Sequence, residues 1–178
     1  MSHYRRAFVP RGTFFFTVVT YRRQPWLVEP DARAALRDAI ERCRAARPFT
    51  VDAWVLMPDH LHAVWTLPPN DADSSTRWAQ IKRTVSVLLA DRKRADWVND
   101  SKRTQRESTL WQRRFFEQTI RDDADFARCV DYAHSNPVKH GLADRVADWP
   151  WSTFHRYVKS GVYPIDWMGD PSDAFGET

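Results

Sequence analysis

Cysteine is nearly absent from this 178-residue chain, in which Cys43 and Cys129 stand alone. Two thiols so far apart form neither a zinc-finger spacing nor a disulfide framework, a usage that suits a reducing cytoplasm. No apolar run approaches the roughly 20 residues of a membrane span. The opening Met-Ser-His-Tyr-Arg-Arg lacks the apolar stretch of a secretory signal. Internal repeats and low-complexity segments are missing too. The expectation is a soluble, cytoplasmic protein with no membrane partner. One domain spanning 1–178 is the simplest organisation, long enough to bury a sizeable core without disulfides.

Charge is present but unevenly placed. The net charge is +4, yet residues 1–23 carry five basic and no acidic side chains, and residues 77–114 carry eleven basic and four acidic ones. The second segment alone exceeds the net charge of the chain, so the remainder is net acidic. Such segregation is an electrostatic footprint for a polyanion, although a solvated helix face would look the same. Nine tryptophans among 13% aromatic residues tilt the balance toward nucleic acid, because unpaired bases stack on such rings. Most of these rings are still expected in the core.

The pattern of elements is β-α-β-β-α-β followed by a late helix. Thr13–Tyr21 is rich in β-branched and aromatic residues and reads as a strand. A helix opens at Pro30-Asp31 and runs to about Arg47, with Ala35, Ile40 and Cys43 facing inward. Val51–Met57 and His60–Leu67 form a hairpin around Pro58-Asp59. Ser74 or Ser75 caps a helix expected from Thr76 to Arg94, with Trp78, Ile81, Val85, Leu88 and Leu89 at helical spacing and Arg77, Lys82, Arg83, Arg92 and Lys93 mostly between them. A polar loop over Asp96–Ser108, a strand over Leu110–Ile120 and a helix from Ala124 to Ser135 follow, the last stopped by Pro137. Residues from about 143 to 178 read as a C-terminal wrap. This order predicts an α+β, ferredoxin-like antiparallel sheet with helices on one face.

Within the hairpin, side chains alternate, so Leu61, Ala63, Trp65 and Leu67 share one face and His60 and His62 the other. Two strand residues stand about 6.6 Å apart at Cα, from which both imidazoles can reach one metal ion. A core histidine with a satisfied hydrogen bond is the competing reading. A metal would need a third ligand from a distant segment, since Asp59, next to His60, should point to the opposite side of the pleat. In Asp131-Tyr132-Ala-His134-Ser-Asn136-Pro137, Tyr132 and Asn136 are four apart and share one helix side. Asn136 offers a carbonyl oxygen for a hard ion such as Mg²⁺ or Mn²⁺, and Tyr132 offers either a nucleophile or a packed core ring.

Tyr4-Arg-Arg, Trp54-Val-Leu-Met-Pro-Asp-His-Leu-His, Trp78-x-x-Ile-Lys82, Trp111-Gln-x-Arg-Phe-x-Glu117, Asp131-Tyr-x-x-x-Asn-Pro-Val-Lys-His-Gly-Leu142 and Asp148-Trp-Pro-x-Ser-x-Phe154 together resemble the REP-associated tyrosine transposases of the single-tyrosine HUH superfamily. The likeness covers nearly the full chain. It implies that His60, His62 and Asn136 bind a divalent metal and that Tyr132 attacks DNA. Related insertion-sequence transposases carry Gln where this chain has Asn136, so the shorter side chain implies either a closer approach of its helix or a looser ligation. The implied substrate is a single-stranded DNA hairpin of repetitive extragenic palindromes, acted on by a monomer or homodimer in a bacterial cytoplasm. Arg5, Arg6, Arg11, Lys82, Arg83, Arg113 and Arg114 are the candidates for backbone contacts. A catalytically silent hairpin-binding protein and a water-using metallohydrolase are the alternatives.

Overall fold

Alternation and β-branching account for the strands, and a two-sided core accounts for their depth. The computed structural model describes residues 12–90 and 110–169. Strands β1 (Thr13–Val19), β2 (Thr50–Leu56), β3 (His60–Thr66) and β4 (Phe116–Ile120) form one sheet in the order β2-β3-β1-β4, every pairing antiparallel. This is the expected α+β, ferredoxin-like arrangement. The hairpin turn closes where Met57 N–H donates to the His60 carbonyl at 2.8 Å. Asp52, the polar residue in an otherwise apolar run, lies at a register shift between Val51 and Ala53, and its carboxylate accepts a bond from Thr66 Oγ1. The extra residue of a bulge has no cross-strand partner, which is why a polar side chain is tolerated there.

Helices α1 (Pro30–Ala46) and α2 (Ser74–Leu88) pack on the face that carries Phe14, Phe16, Leu61, Ala63 and Trp65. Trp65 stacks on Trp78 of α2 with ring centroids 4.1 Å apart. Helix α3 (Asp123–Lys139) packs on the opposite face against Phe15, Val55 and Val64, through Cys129, Val130 and Ala133. Helices α1 and α2 thus share one face, as the β-α-β-β-α-β order predicts, while the late helix α3 covers the other, so the histidines lie in a sheet covered on both sides. The reason is in the strands: Phe15, Ala53, Val55 and Val64 are apolar on that second face and would otherwise meet water.

Several ends differ from expectation. The N-cap of α2 is Asp73, whose carboxylate accepts from Thr76 N–H at 2.9 Å, while Ser74 donates to Glu117 of β4. The helix ends at Leu88, and the expected extension over 91–94, like the loop Asp96–Ser108, lies outside the described residues. Leu110 and Trp111 are buried, but Trp111 makes only an isolated bridge to Thr20, and β4 begins only at Phe116. Helix α3 runs through Pro137 to Lys139, losing only the bond that a proline N–H cannot make. It stops two residues later, where Gly141 adopts φ +67° and donates to Val138 while Leu142 donates to Pro137, a Schellman closure.

Beyond α3 the chain returns to the β2 edge. Leu56 N–H donates to Trp151, Thr153 N–H to Trp54, and Trp149 Nε1 to the Leu56 carbonyl. These bonds cover an edge that would otherwise be free to pair with another chain. Helix α4 (Phe154–Lys159) then packs beside it, and Tyr163 bonds Asp131 of α3. Among the described residues no helix is long and apolar enough to cross a membrane.

Trp65 is fully buried between Trp78, Phe49 and Phe16. Trp65→Ala should therefore destabilise the fold by about 3–5 kcal/mol, read as a lower urea midpoint at unchanged slope.

Candidate active site

The hairpin and α3 meet around two imidazoles. His60 and His62 are 2% and 0% exposed, with ring centroids 5.0 Å apart and planes at 81°. Each has its Nδ1 engaged: His60 Nδ1 lies 2.6 Å from Asp59 Oδ1, and His62 Nδ1 lies 2.9 Å from Thr17 Oγ1 on the paired strand. A neutral imidazole that donates through Nδ1 keeps its Nε2 lone pair free for a metal, the arrangement that second partners of ligand histidines enforce. His60 Nε2 is buried and has no hydrogen-bond partner among the described residues. Burial, and then the neighbouring His60, push His62 well below the ordinary imidazole range, so it is neutral near pH 7.

Asp59 does what pleat alternation seemed to forbid, because it belongs to the turn and not to the strand. Thr20 binds its carbonyl through both N–H and Oγ1 at 2.9 Å, and Arg23 reaches Oδ2 at 3.1 Å. Arg22 and Arg23 both hold φ +52°, a left-handed backbone that non-glycine residues adopt at a cost of order 1 kcal/mol. Burial opposes ionisation of Asp59, but the hydrogen bonds and charges of His60 and Arg23 outweigh it and hold the carboxyl at about 2.

Helix α3 supplies the other half. Tyr132 and Asn136 project from one side, as their spacing requires, and the helix continues past both. Asn136 Nδ2 donates to the Tyr132 carbonyl at 3.2 Å. Since a carbonyl only accepts, this bond fixes the amide orientation and turns Oδ1 away. That oxygen is buried without a partner among the described residues. The Asn136 side chain lies close to His62, the nearer helix approach being one of the two outcomes its shorter side chain allows. The Tyr132 ring stands 5.4 Å from His62 and 5.8 Å from Phe15, with Lys139 Nζ 4.8 Å from its centroid.

A buried acceptor without a donor costs about 1–3 kcal/mol, and His60 Nε2 and Asn136 Oδ1 are two of them at one place. A divalent cation held between them would satisfy both. Among the described residues no three His, Cys, Asp or Glu side chains converge, so a metal held by the two imidazoles would need a donor of another type, which the asparagine oxygen could supply. Two imidazoles and a neutral carbonyl fit a first-row or alkaline-earth divalent ion with open positions.

Of the candidate DNA contacts, Arg5, Arg6 and Arg11 lie outside the described residues. Arg83, Arg113 and Arg114 are exposed, whereas Lys82 is partly buried, donating to the Gln112 carbonyl at 2.9 Å above the Phe115 ring. Burial brings its ammonium down to about 8. Its bond ties α2 to the segment carrying Arg113 and Arg114. Arg77 leaves the basic surface altogether: it is fully buried, paired with Asp71 at 2.6 Å and bonded to the carbonyls of Arg47, Pro48 and Asp73. The site residues that sequence reasoning missed are Thr17, Asp59, Lys139 and His140, the last with its ring 5.2 Å from that of His60. Lys139 and His140 follow Asn136 by three and four residues, a helical spacing that could have found them.

The model of the family described as "Transposase IS200 like" matches residues 11–136. A REP-associated tyrosine transposase of Escherichia coli (strain K12) is 42% identical over 173 residues, covering 97% of this chain and 94% of that protein. A solved structure of a REP-associated tyrosine transposase bound to a REP hairpin superposes with a TM-score of 0.83 at 42% identity, covering 99% of this chain and 96% of that one. The chain therefore belongs to the IS200-like transposases and, within them, to the REP-associated tyrosine transposases.

The folded-state carboxyl of Asp59, near 2, lies below the ordinary aspartate value of about 3.9. Its ionisation thus adds stability that is present above about pH 4 and is lost as pH falls through about 2. Asp59→Asn should be less stable than the native chain at pH 6 by about 2 kcal/mol, and the gap in urea unfolding should close toward pH 2.

Proposed function

We propose that this chain is a metal-dependent single-stranded DNA nickase and strand transferase that cuts and rejoins DNA at REP-type hairpins through Tyr132. The observation that carries this reading is the convergence of Tyr132 with two orphaned acceptor atoms, His60 Nε2 and Asn136 Oδ1, inside a fold shared with a relative bound to a REP hairpin. His60, His62 and Asn136 would hold Mg²⁺ or Mn²⁺. When bound, the ion would polarise the scissile phosphate and stabilise the departing oxygen.

The chain's own residues do the rest. Packing of Tyr132 between His62 and Phe15 restricts its ring, so the nucleophile needs little ordering before attack. An ordinary phenol of pKa about 10 is ionised in only about one molecule in a thousand at pH 7, a cost of roughly 4 kcal/mol. Lys139 places positive charge over the ring where that negative charge develops. The Tyr132 oxygen forms a bond to phosphorus as the bond from phosphorus to the 3′-oxygen breaks. The phenolic proton passes to solvent and the departing 3′-oxygen takes one up from solvent, leaving as a hydroxyl with no net change in protons. The products are a 5′-phosphotyrosine and a free 3′-OH. Attack by a 3′-OH on the phosphotyrosine reverses the step and joins strands without ATP, since the ester energy is retained.

Tyr132→Phe should keep hairpin binding and metal affinity while reducing cleavage to background. With the native chain, Mn²⁺ and a hairpin labelled on the 3′ side of the nick, the label should migrate with protein on a denaturing gel and map to Tyr132. Chelation with EDTA should abolish both nick and adduct. Binding without a nick would identify a silent hairpin-binding protein. A nick without adduct that survives Tyr132→Phe would identify a hydrolase.

A further inference from the structure

Phe116 is the one exposed Phe, Tyr or Trp among the described residues, at 50%. It opens β4, the edge strand of the sheet, and pairs with Thr17, so its side chain shares the face of Thr17 and Phe15. Thr17 is the residue that bonds His62. The Phe116 ring meets Phe15 edge-on at 6.3 Å, and Phe15 in turn stands 5.5 Å from His62 and 5.8 Å from Tyr132. One buried ring thus separates this exposed ring from the nucleophile. Arg113 and Arg114, both exposed, precede it by three and two residues in the chain.

An aromatic ring left in water at the rim of a site, beside exposed guanidinium groups, suits a nucleotide: the base stacks on the ring while the phosphates meet the arginines. Phe116 is half exposed beside its edge contact with Phe15, and a base can stack on the exposed part of the ring. We infer that Phe116 is the stacking platform for an unpaired base of the substrate strand beside the phosphate that Tyr132 attacks. The inference rests on the proposed reaction and adds to it the residue that positions the unpaired flank. Stacking is sequence-tolerant, so Phe116 sets where the strand lies and not which base it carries.

The test compares the native chain with Phe116→Ala and Phe116→Trp on a REP-type hairpin carrying a short single-stranded flank, in EDTA, and on the same hairpin without the flank. Phe116→Ala should weaken binding of the flanked hairpin by roughly 5- to 150-fold and leave the bare hairpin unaffected. Phe116→Trp should restore the affinity. An abasic site introduced at successive flank positions should erase the difference between native and Ala proteins at one position and at no other. In cleavage assays the Ala variant should raise KM more than it lowers kcat. Equal affinities of native and Ala proteins for the flanked hairpin, or a loss equal on both hairpins, would overturn the inference while leaving nicking by Tyr132 intact. A change confined to the oligomeric state in sedimentation would overturn it in favour of a protein contact. Failure of the native chain to bind either hairpin would instead sink the proposed function itself.

Discussion

Burial of β3 on both faces is the constraint from which the site follows. One face of the strand gives Leu61, Ala63 and Trp65 to a dry core under α1 and α2. The other gives His60 and His62 to an interior closed by α3, where a polar atom must find a partner inside the protein. Their Nδ1 atoms do so through Asp59 and Thr17. These bonds fix the orientation of the two rings, whose centroids stand 5.0 Å apart. Burial leaves His60 Nε2 and Asn136 Oδ1 without hydrogen-bond partners among the described residues.

The second constraint is the continuity of α3. Had the helix ended before Asn136, the amide would have left the side that Tyr132 occupies. Pro137 costs one backbone bond but keeps helical φ, and the Gly141 closure satisfies the terminal carbonyls two residues on. Lys139 and His140 are thereby carried to Tyr132 and His60. The same helix is braced from outside by the C-terminal residues, since Tyr163 bonds Asp131 and His134 donates to or accepts from Thr153. Burial holds His134 down at about 3, so it stays neutral in that packing.

Charge is sorted by depth. Arg77 spends its guanidinium on five acceptors inside the fold, and Lys82 spends its ammonium on tying α2 to the segment before β4. Both counted toward the basic segment of the sequence, but Arg77 is fully buried and withdrawn from the surface. Arg83, Arg113 and Arg114 remain at the surface, where attraction to phosphate is screened by salt.

Periodicity in the sequence by itself determined the hairpin, the two faces of β3, the i,i+4 pairing of Tyr132 with Asn136 and the ferredoxin-like order, because these depend on local geometry and on which side chains avoid water. The quoted motifs determined the family. Only the tertiary structure decided which sheet face α3 covers, since an apolar strand such as β2 says that both faces are buried and not by what. Only it could turn Asp59 toward His60, because a turn residue escapes the alternation that governs its neighbours. Arg77 reads as surface on a helical wheel, and its burial depends on Asp71 and on carbonyls up to 30 residues away in the chain. Pairings at that distance are set by how the elements pack, a term that no local pattern contains.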